Sequence, residues 1–269
     1  MAAPRAAATI LVLAEAPGKA FEVLMIKRHS KARFMANTYV FPGGCVDEAD
    51  QEYAARIRSP ETLAEYRVAA LRELWEETGV HFESDGRAGV GSSSPELGAA
   101  QLARLTPFAH WVTPKQEKYR YDTRFFLARA TNPAAATLPV KGDPKEVDDV
   151  RWVSPQDALM LHASQDSNFR LPPPTFIIMQ SLVLPSQPKG ALNLISKYAG
   201  LYGSEEALQA MPRVEPVLDV GSQPIRIYMR PEWTHLPPGV HSDGPAVVHV
   251  GEGMPDLPAH QPDAPAAKL

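Results

Sequence analysis

The sequence of 269 residues contains a single cysteine, Cys45, so no disulfide can form within the chain. That composition suits a reducing compartment. The chain also lacks an apolar run approaching the roughly twenty residues that a membrane-spanning helix requires. Residues 1–8 contain no apolar segment of the kind that marks a secretory signal. We therefore expect neither membrane insertion nor secretion.

A strong excess of one sign of charge is also missing. The formal net charge is −4 and the isoelectric point is about 6.1. Proteins that bind nucleic acid or membrane surfaces through phosphate contacts usually carry clustered positive charge, so we expect neither partner. Hydrophobic residues make up 44% of the chain, which allows a sizeable core.

The most informative stretch is a predicted helix that begins at Ser59-Pro60, ends at Thr78 and carries three glutamates. A Gly/Ser-rich loop is predicted after it, at 85–94. Residues 69–78 are rich in strong helix formers, and Gly79 stands where a left-handed C-terminal cap belongs. On such a helix Glu73, Glu76 and Glu77 fall at positions i, i+3 and i+4, and therefore share one face. Their mutual repulsion favours a hard divalent cation with oxygen ligands. The alternative is a solvated acidic face.

The surrounding residues favour the cation. Two runs of residues resemble parts of a known family signature: Arg72-Glu73-Leu74-x-Glu76-Glu77-x-Gly79-Val80 and, upstream, Tyr39-Val40-Phe41-Pro42-Gly43-Gly44. The first resembles the second half of the Nudix box, G-x5-E-x7-R-E-U-x-E-E-x-G-U, where U is apolar. The second resembles the strand and Gly-Gly turn that open the same box. The chain thus resembles members of the Nudix hydrolase superfamily.

The box departs from the family pattern between its two halves. Counted from Gly44, the pattern places its arginine at position 58, but Arg72 follows 14 residues later. The position eight residues before Arg72, where the family has its first glutamate, holds Ala64. We therefore expect an insertion at 45–58, folded mainly as a loop, and the loss of the local salt bridge of that glutamate.

The resemblance implies a metal-dependent pyrophosphohydrolase. In the family the box glutamates hold Mg²⁺ or Mn²⁺, a role that falls here on Glu73, Glu76 and Glu77. The main-chain carbonyl at the Gly-Gly turn, most directly Gly44 although Gly43 is an alternative, is expected to complete the metal shell.

Two further residues are assigned roles by the resemblance. Arg72 is expected to orient a box carboxylate through a bidentate pair. Glu146 lies in an acidic run just before a predicted strand, where family members place a distal glutamate. It is expected to act as a metal ligand or general base, and the alternative is a solvated loop.

Other segments resemble the peroxisomal coenzyme A diphosphatase branch of the family, over roughly residues 9–185. They are Leu24 to Arg28, Phe34-Met35, Trp111 to Pro114, and Arg120 to Phe126. Coenzyme A carries a pyrophosphate and a ribose 3′-phosphate, so it requires cations beyond the metal. The candidates are Lys27, Arg28, Arg33, Arg120 and Arg124, with Arg28 and Arg124 foremost.

The implied reaction is cleavage of CoA or acyl-CoA to (acyl-)phosphopantetheine and 3′,5′-ADP. One alternative is hydrolysis of NADH or another nucleoside diphosphate derivative. The other is a catalytically silent Nudix fold that serves as a binding module, which the intact set of three box glutamates argues against.

The predicted fold is a Nudix-type α/β/α sandwich with a mixed sheet and a C-terminal extension of helices and strands. We expect a core at 1–170, an extension packed on it at 171–250, and a flexible tail at 251–269. The tail ends in Ala267-Lys268-Leu269, which resembles a peroxisomal address read by an import receptor. Peroxisomal location is therefore expected, with the cytoplasm as the alternative. The sequence assigns the extension no role, and an acyl-chain pocket and a homodimer surface are both open.

Overall fold

The computed structural model describes residues 3–16, 18–133, 135–164, 168–183, 190–219, 225–229 and 246–250. The predicted tail at 251–269, with its Ala267-Lys268-Leu269 ending, lies outside the described residues. Within the described part of the chain, no helix combines the length and apolar character needed to cross a membrane.

The strands are β1 (Arg5–Ala14), β2 (Glu22–Arg28), β3 (Tyr39–Val40), β4 (Gly43–Cys45), β5 (Val80–Phe82), β6 (Ala88–Val90), β7 (Thr106–Val112), β8 (Tyr121–Arg129), β9 (Val147–Val153), β10 (Arg213–Val214), β11 (Val217–Asp219), β12 (Ile225–Met229) and β13 (Ala246–Val250). The helices are α1 (Glu48–Ile57), α2 (Ala64–Thr78), α3 (Ala99–Leu102), α4 (Pro155–Ala163), α5 (Pro173–Leu182), α6 (Gly190–Tyr202) and α7 (Glu205–Gln209).

A mixed sheet of eight strands forms the centre of the molecule. Its strand order is β10-β7-β8-β1-β2-β3, with β4 paired to β1 and β9 paired to β2. Strands β1 and β8 run parallel, whereas β7 and β8 run antiparallel. The predicted mixed α/β architecture is confirmed.

The two faces of this sheet carry separate hydrophobic cores. Along β1, Ile10 and Val12 face the cluster that contains the apolar residues of α2. Leu11 and Leu13 face the opposite cluster, which contains residues of α5 and α6. This alternation follows from the two-residue period of a strand, and it makes β1 the buried strand between two helical layers.

Strand β1 changes partner along its length. At its end, Leu13 and Ala14 pair with β2. Near its start, Ala7, Ala8 and Thr9 pair instead with β4, the strand formed by the Gly-Gly turn. The glycines therefore lie against the central strand, where helix α2 also contacts β4.

Three local expectations were wrong. The segment 45–58 is not mainly a loop, because α1 begins there with a capping box between Asp47 and Asp50. Helix α2 begins at Ala64 rather than at Ser59, since Leu63 adopts a left-handed conformation with φ of 56°. The predicted loop after Asp85 contains the short strand β6, which pairs with β5.

The segment after residue 171 contacts the core at several points. Strand β10 pairs in parallel with β7, placing Val214 opposite Trp111. Helix α6 packs on β7 and β8. The buried residues Ile177, Leu194 and Leu218 belong to the same hydrophobic cluster as the core residues of β1 and β2.

Candidate functional site

The three glutamates of α2 do not have equivalent surroundings. Residues 73 and 77 are separated by about 40° around the helix axis, whereas 76 is displaced by about 100° from 77. Accordingly, Glu77 is only 4% exposed, and the Glu73 side chain is 15% exposed. The Glu76 side chain is 46% exposed. The structure therefore brings Glu73 and Glu77 inward together and leaves Glu76 at the surface.

The Gly-Gly turn meets both inward carboxylates. The backbone N–H of Gly43 donates to Oε2 of Glu77 at 2.9 Å. A Cβ atom at Gly44 would lie 2.2 Å from Oε1 of Glu73, and one at Gly43 would lie 2.4 Å from the carbonyl oxygen of Ala8. Only glycine permits these approaches, which explains why the turn consists of two glycines.

Arg72 connects α2 to α1 and to β4. Its Nε and Nη2 donate to the two carboxylate oxygens of Asp50, each at 2.9 Å. Its Nη1 donates to Glu73 at 2.9 Å and to Glu76 at 2.8 Å. Nη2 also donates to the carbonyl oxygen of Cys45 at 3.0 Å. The bonds to Asp50 raise the pKa of Arg72 above its usual value.

The bidentate partner of Arg72 is thus Asp50, not a box glutamate as expected from the sequence. Asp50 is 1% exposed and also accepts the backbone N–H of Asp47 at 3.0 Å. The expected loss of the local salt bridge was wrong. The signal that could have identified Asp50 is its spacing, because it follows Gly44 by the six residues that the pattern assigns to its first acidic residue.

The electrostatics of the inward carboxylates are unfavourable for two negative charges. Burial, followed by the charge of Glu73, raises the pKa of Glu77 to about 8 despite the hydrogen bond from Gly43. Burial also raises the pKa of Glu73, against the opposing effect of Arg72. Glu146 contributes further repulsion to both. A cation placed among these groups would relieve this repulsion.

These carboxylates line a cavity of about 320 Å³. We call the part of the cavity lined by the following residues its polar end: Arg28, Gly43, Gly44, Glu73, Glu77 and Glu146. Its apolar end consists of Trp111, Phe125, Ile177, Leu218 and Ile227, all members of one hydrophobic cluster. A cavity of this size, with few polar groups and many apolar ones, has the character of a small-molecule site.

Of the predicted substrate cations, Arg28 lines the pocket, where it lowers the pKa of Glu77 and donates from Nε to the carbonyl oxygen of Phe34 at 3.2 Å. Arg120 instead pairs with Glu215 at 2.7 Å. The others are not among the described lining residues. Lys27 lies 5.9 Å from the centre of the Tyr39 ring, and Arg33 is exposed.

Arg124 lies on the other face of its strand. Its neighbours Thr123 and Phe125 line the pocket, and successive side chains of a strand point to opposite faces. Arg124 instead interacts with Asp122 and Tyr66. The structure therefore does not bring Arg124 together with the carboxylates.

A metal would be held at the polar end. In the described part of the chain, no three carboxylate, imidazole or thiolate side chains are already gathered closely enough to enclose a metal. Arg72 holds both Glu73 and Glu76. The donor set nevertheless fits a hard divalent cation, since Glu73, Glu77 and Glu146 supply oxygen ligands and repel one another. Glu77 is the buried acid among them.

Residues 3–171 match the model of the NUDIX domain. The chain belongs to the NUDIX family. Members of this family generally use divalent metal ions, in agreement with the donor set at the polar end. The match covers both the Gly-Gly turn and the glutamates of α2.

Among curated proteins, the chain is 28% identical over 188 residues to putative nudix hydrolase 7 of Caenorhabditis elegans, covering 63% of this chain and 57% of the relative. It is 26% identical over 297 residues to the acyl-coenzyme A diphosphatase NUDT19 of Gallus gallus, covering 79% of this chain and 75% of the relative. The chain thus spans little more than half of the first of these relatives.

Among solved structures, a NUDIX hydrolase from Alicyclobacillus acidocaldarius shares 27% identity and a TM-score of 0.53. The similarity covers 68% of this chain and 92% of that one. Together, the fold, the family match and the relatives support the prediction of a Nudix-type pyrophosphohydrolase.

Proposed function

We propose that this NUDIX protein hydrolyses the pyrophosphate bond of CoA or acyl-CoA, giving (acyl-)phosphopantetheine and 3′,5′-ADP. The observation that carries the proposal is the meeting of Glu73, Glu77 and the Gly-Gly turn in the lining of a largely apolar cavity. The acyl-CoA diphosphatase name of one relative supports the choice of substrate.

The cation of the proposal is Mg²⁺ or Mn²⁺, held by Glu73, Glu77 and the carbonyl of Gly44, with Glu76 at the outer edge. When bound, it supplies charge neutralisation of the diphosphate and an acidified water. Buried carboxylates are suited to this task because a bound cation relieves their mutual repulsion.

The chain's own residues supply the remaining functions. Arg28 is the pocket cation beside Glu77, and it binds the diphosphate oxygens. Glu146 lines the same pocket. It acts either as a further metal ligand or as the general base that takes the proton from the attacking water. Arg72 acts through Glu73, which it orients, rather than on the substrate itself.

The test is metal-dependent release of 3′,5′-ADP from CoA and acyl-CoA, with NADH and ADP-ribose assayed in parallel. We expect CoA species to be preferred and turnover to fall at least a hundredfold in Glu77→Gln. The matched variant Glu83→Gln, which removes an exposed carboxylate outside the pocket, should retain full turnover.

Other outcomes assign other functions. Preferred turnover of NADH or ADP-ribose keeps the site and replaces the substrate. Failure to cleave any of these compounds in the presence of Mg²⁺ or Mn²⁺ favours a binding module. Import into peroxisomes through the Ala267-Lys268-Leu269 ending stays a separate prediction, which is checked by imaging a fusion with and without that tripeptide.

A further inference from the structure

The apolar end of the pocket is built largely by the segment after residue 171. Ile177 comes from α5, and Leu218 and Ile227 are register partners on β11 and β12. These three side chains are each 2–3% exposed. They pack in the same cluster as Trp111 and Phe125 from the central sheet, so the wall is a continuous apolar surface.

Two attachments hold this wall against the central sheet. Arg120, on the loop between β7 and β8, forms a salt bridge with Glu215 at 2.7 Å, next to the pocket residue Pro216. Its Nε also donates to the carbonyl oxygen of Thr113 at 3.1 Å. Beside this pair, Val214 is in register with Trp111. A salt bridge and a strand pairing therefore hold the apolar end in place against the central sheet.

The charges that line the pocket are mostly negative. Among the described lining residues, Arg28 is the cation, whereas Glu73, Glu77, Glu117 and Glu146 are carboxylates. Arg28 lies beside Glu77 at the polar end, where the diphosphate is proposed to bind. The cavity thus offers no second cation, within the described residues, to match a further phosphate group.

Glu117 is the carboxylate that the proposed reaction leaves unused. It lies on the loop between β7 and β8, where its backbone N–H donates to the carbonyl oxygen of Pro114 at 3.1 Å. Burial raises its pKa. In the described structure its carboxylate has neither a hydrogen bond nor an ion pair. A partly buried acceptor of this kind is stabilised by a donor from a ligand.

The two halves of CoA differ in the chemistry that this pocket distinguishes. The adenosine half carries a 3′-phosphate, for which the described lining residues offer no cation other than Arg28, already assigned to the diphosphate. The pantetheine arm is uncharged, contains two amide N–H groups and a dimethyl-substituted carbon, and can extend into an acyl chain. Apolar walls and one free acceptor match the arm and not the phosphate.

On the basis of the proposed function, we propose that the pocket binds the (acyl-)pantetheine arm and leaves the 3′,5′-ADP half outside. Ile177, Leu218 and Ile227 contact the apolar part of the arm, and Glu117 accepts a hydrogen bond from one of its amide groups. The segment after residue 171 is then a determinant of substrate specificity.

Each reaction product contains one half of CoA, so binding of the two halves can be measured separately. Dissociation constants of 4′-phosphopantetheine and of 3′,5′-ADP would be measured by calorimetry with the full chain and Mg²⁺. The variants are Leu218→Trp, which fills the apolar end, and Glu117→Leu, which removes the acceptor. Leu201→Trp is the matched control, since Leu201 is an exposed residue of α6. Thermal melting establishes that each variant is folded.

We expect Leu218→Trp and Glu117→Leu each to weaken binding of 4′-phosphopantetheine by about tenfold and binding of 3′,5′-ADP by less than twofold. Glu117→Gln, which keeps an acceptor oxygen, should restore most of the affinity lost in Glu117→Leu. In the wild type, each methylene of an added acyl chain that enters the apolar end should raise kcat/KM by about fourfold.

Weaker binding of 3′,5′-ADP instead, or unchanged affinity for both products, would overturn the orientation. If Leu218→Trp does not fold, the Glu117 variants decide between the two orientations. A chain that cleaves CoA but shows the wrong pattern refutes only this inference. A chain that neither cleaves CoA nor binds either product refutes the proposed function.

Discussion

The polar end of the pocket takes its two inward carboxylates from a single helix, whereas the apolar end takes Ile177, Leu218 and Ile227 from three separate elements. Glu73 and Glu77 are one helical turn apart, so a short sequence motif encodes their proximity. The three apolar residues are separated by up to fifty positions and meet only because β11, β12 and α5 pack on one face of the sheet.

The two ends also differ in what stabilises them. At the polar end, Glu73 pairs with Arg72, which is not itself among the described lining residues and also pairs with Asp50 and Glu76, so the free energy depends on complete pairing around this arginine. At the apolar end, burial of hydrocarbon provides the stability, and it tolerates small changes of shape. Substitutions at the polar end should therefore have larger and more specific effects than those at the apolar end.

The largest effect is expected for Arg72→Met. It leaves Asp50, which is 1% exposed, as an unpaired buried charge, and breaking a buried pair costs about 3–5 kcal/mol of unfolding free energy. Chemical denaturation measures this loss. In Arg72→Met/Asp50→Asn the loss should be smaller than the sum of the two single losses. The matched Arg87→Met, from an exposed pair with Asp85, should change the unfolding free energy far less, since exposed ion pairs contribute little.

The next effect concerns activity. In Gly44→Ala the new Cβ would lie 2.2 Å from Oε1 of Glu73, so the carboxylate must move away from its pair with Arg72. We expect turnover to fall by about a hundredfold, together with a loss of unfolding free energy smaller than that of Arg72→Met. Gly200→Ala is the control, because a Cβ there meets no atom within 4 Å. Equal activity of the two variants would contradict the assigned role of the turn.

A pH-dependent effect on stability is expected from Glu77. Its pKa is raised to about 8 in the folded protein, so the folded state retains a proton that the unfolded state releases from about pH 4.5 upward. Without metal, this contribution to stability is present at low pH and is lost as the pH rises towards 8.

The variant Glu77→Gln removes that pH dependence. In the presence of a chelator, it should exceed the wild type in unfolding free energy by at least about 1 kcal/mol at pH 8, and the difference should shrink towards pH 5. Melting curves over this pH range provide the measurement. Addition of Mg²⁺ should stabilise the wild type more than the variant. A difference independent of pH would show that the Glu77 carboxyl is not protonated in the folded state.

The smallest effect is expected at the apolar end. Ile177→Val removes one buried methyl group and should cost about 1 kcal/mol of unfolding free energy. Chemical denaturation measures this loss. A loss as large as that of Arg72→Met would show that the two ends do not differ in tolerance.

Much of the polar end could be predicted from the sequence because its groups are local. The Gly-Gly turn, the end of α2 at Gly79 and the paired Glu73 and Glu77 all follow from short spacings. Asp50 was not predicted as the partner of Arg72 because 14 extra residues separate the two halves of the motif. Counted back from Arg72, the position of the first acidic residue falls on Ala64 instead. The start of α2 was predicted wrongly because Ser59-Pro60 resembles a helix N-cap. The left-handed backbone conformation of Leu63 makes the helix begin at Ala64 instead.

The sequence by itself determined the family, the helix with its carboxylates and the mixed α/β class, because helical periodicity and turn chemistry act over a few residues. Only the tertiary structure decided that Glu76 faces outward, that Arg124 lies on the opposite face of β8, and that the segment after residue 171 closes the pocket. These outcomes depend on which sheet face each strand presents and on pairings such as Val214 with Trp111, which join residues about a hundred positions apart.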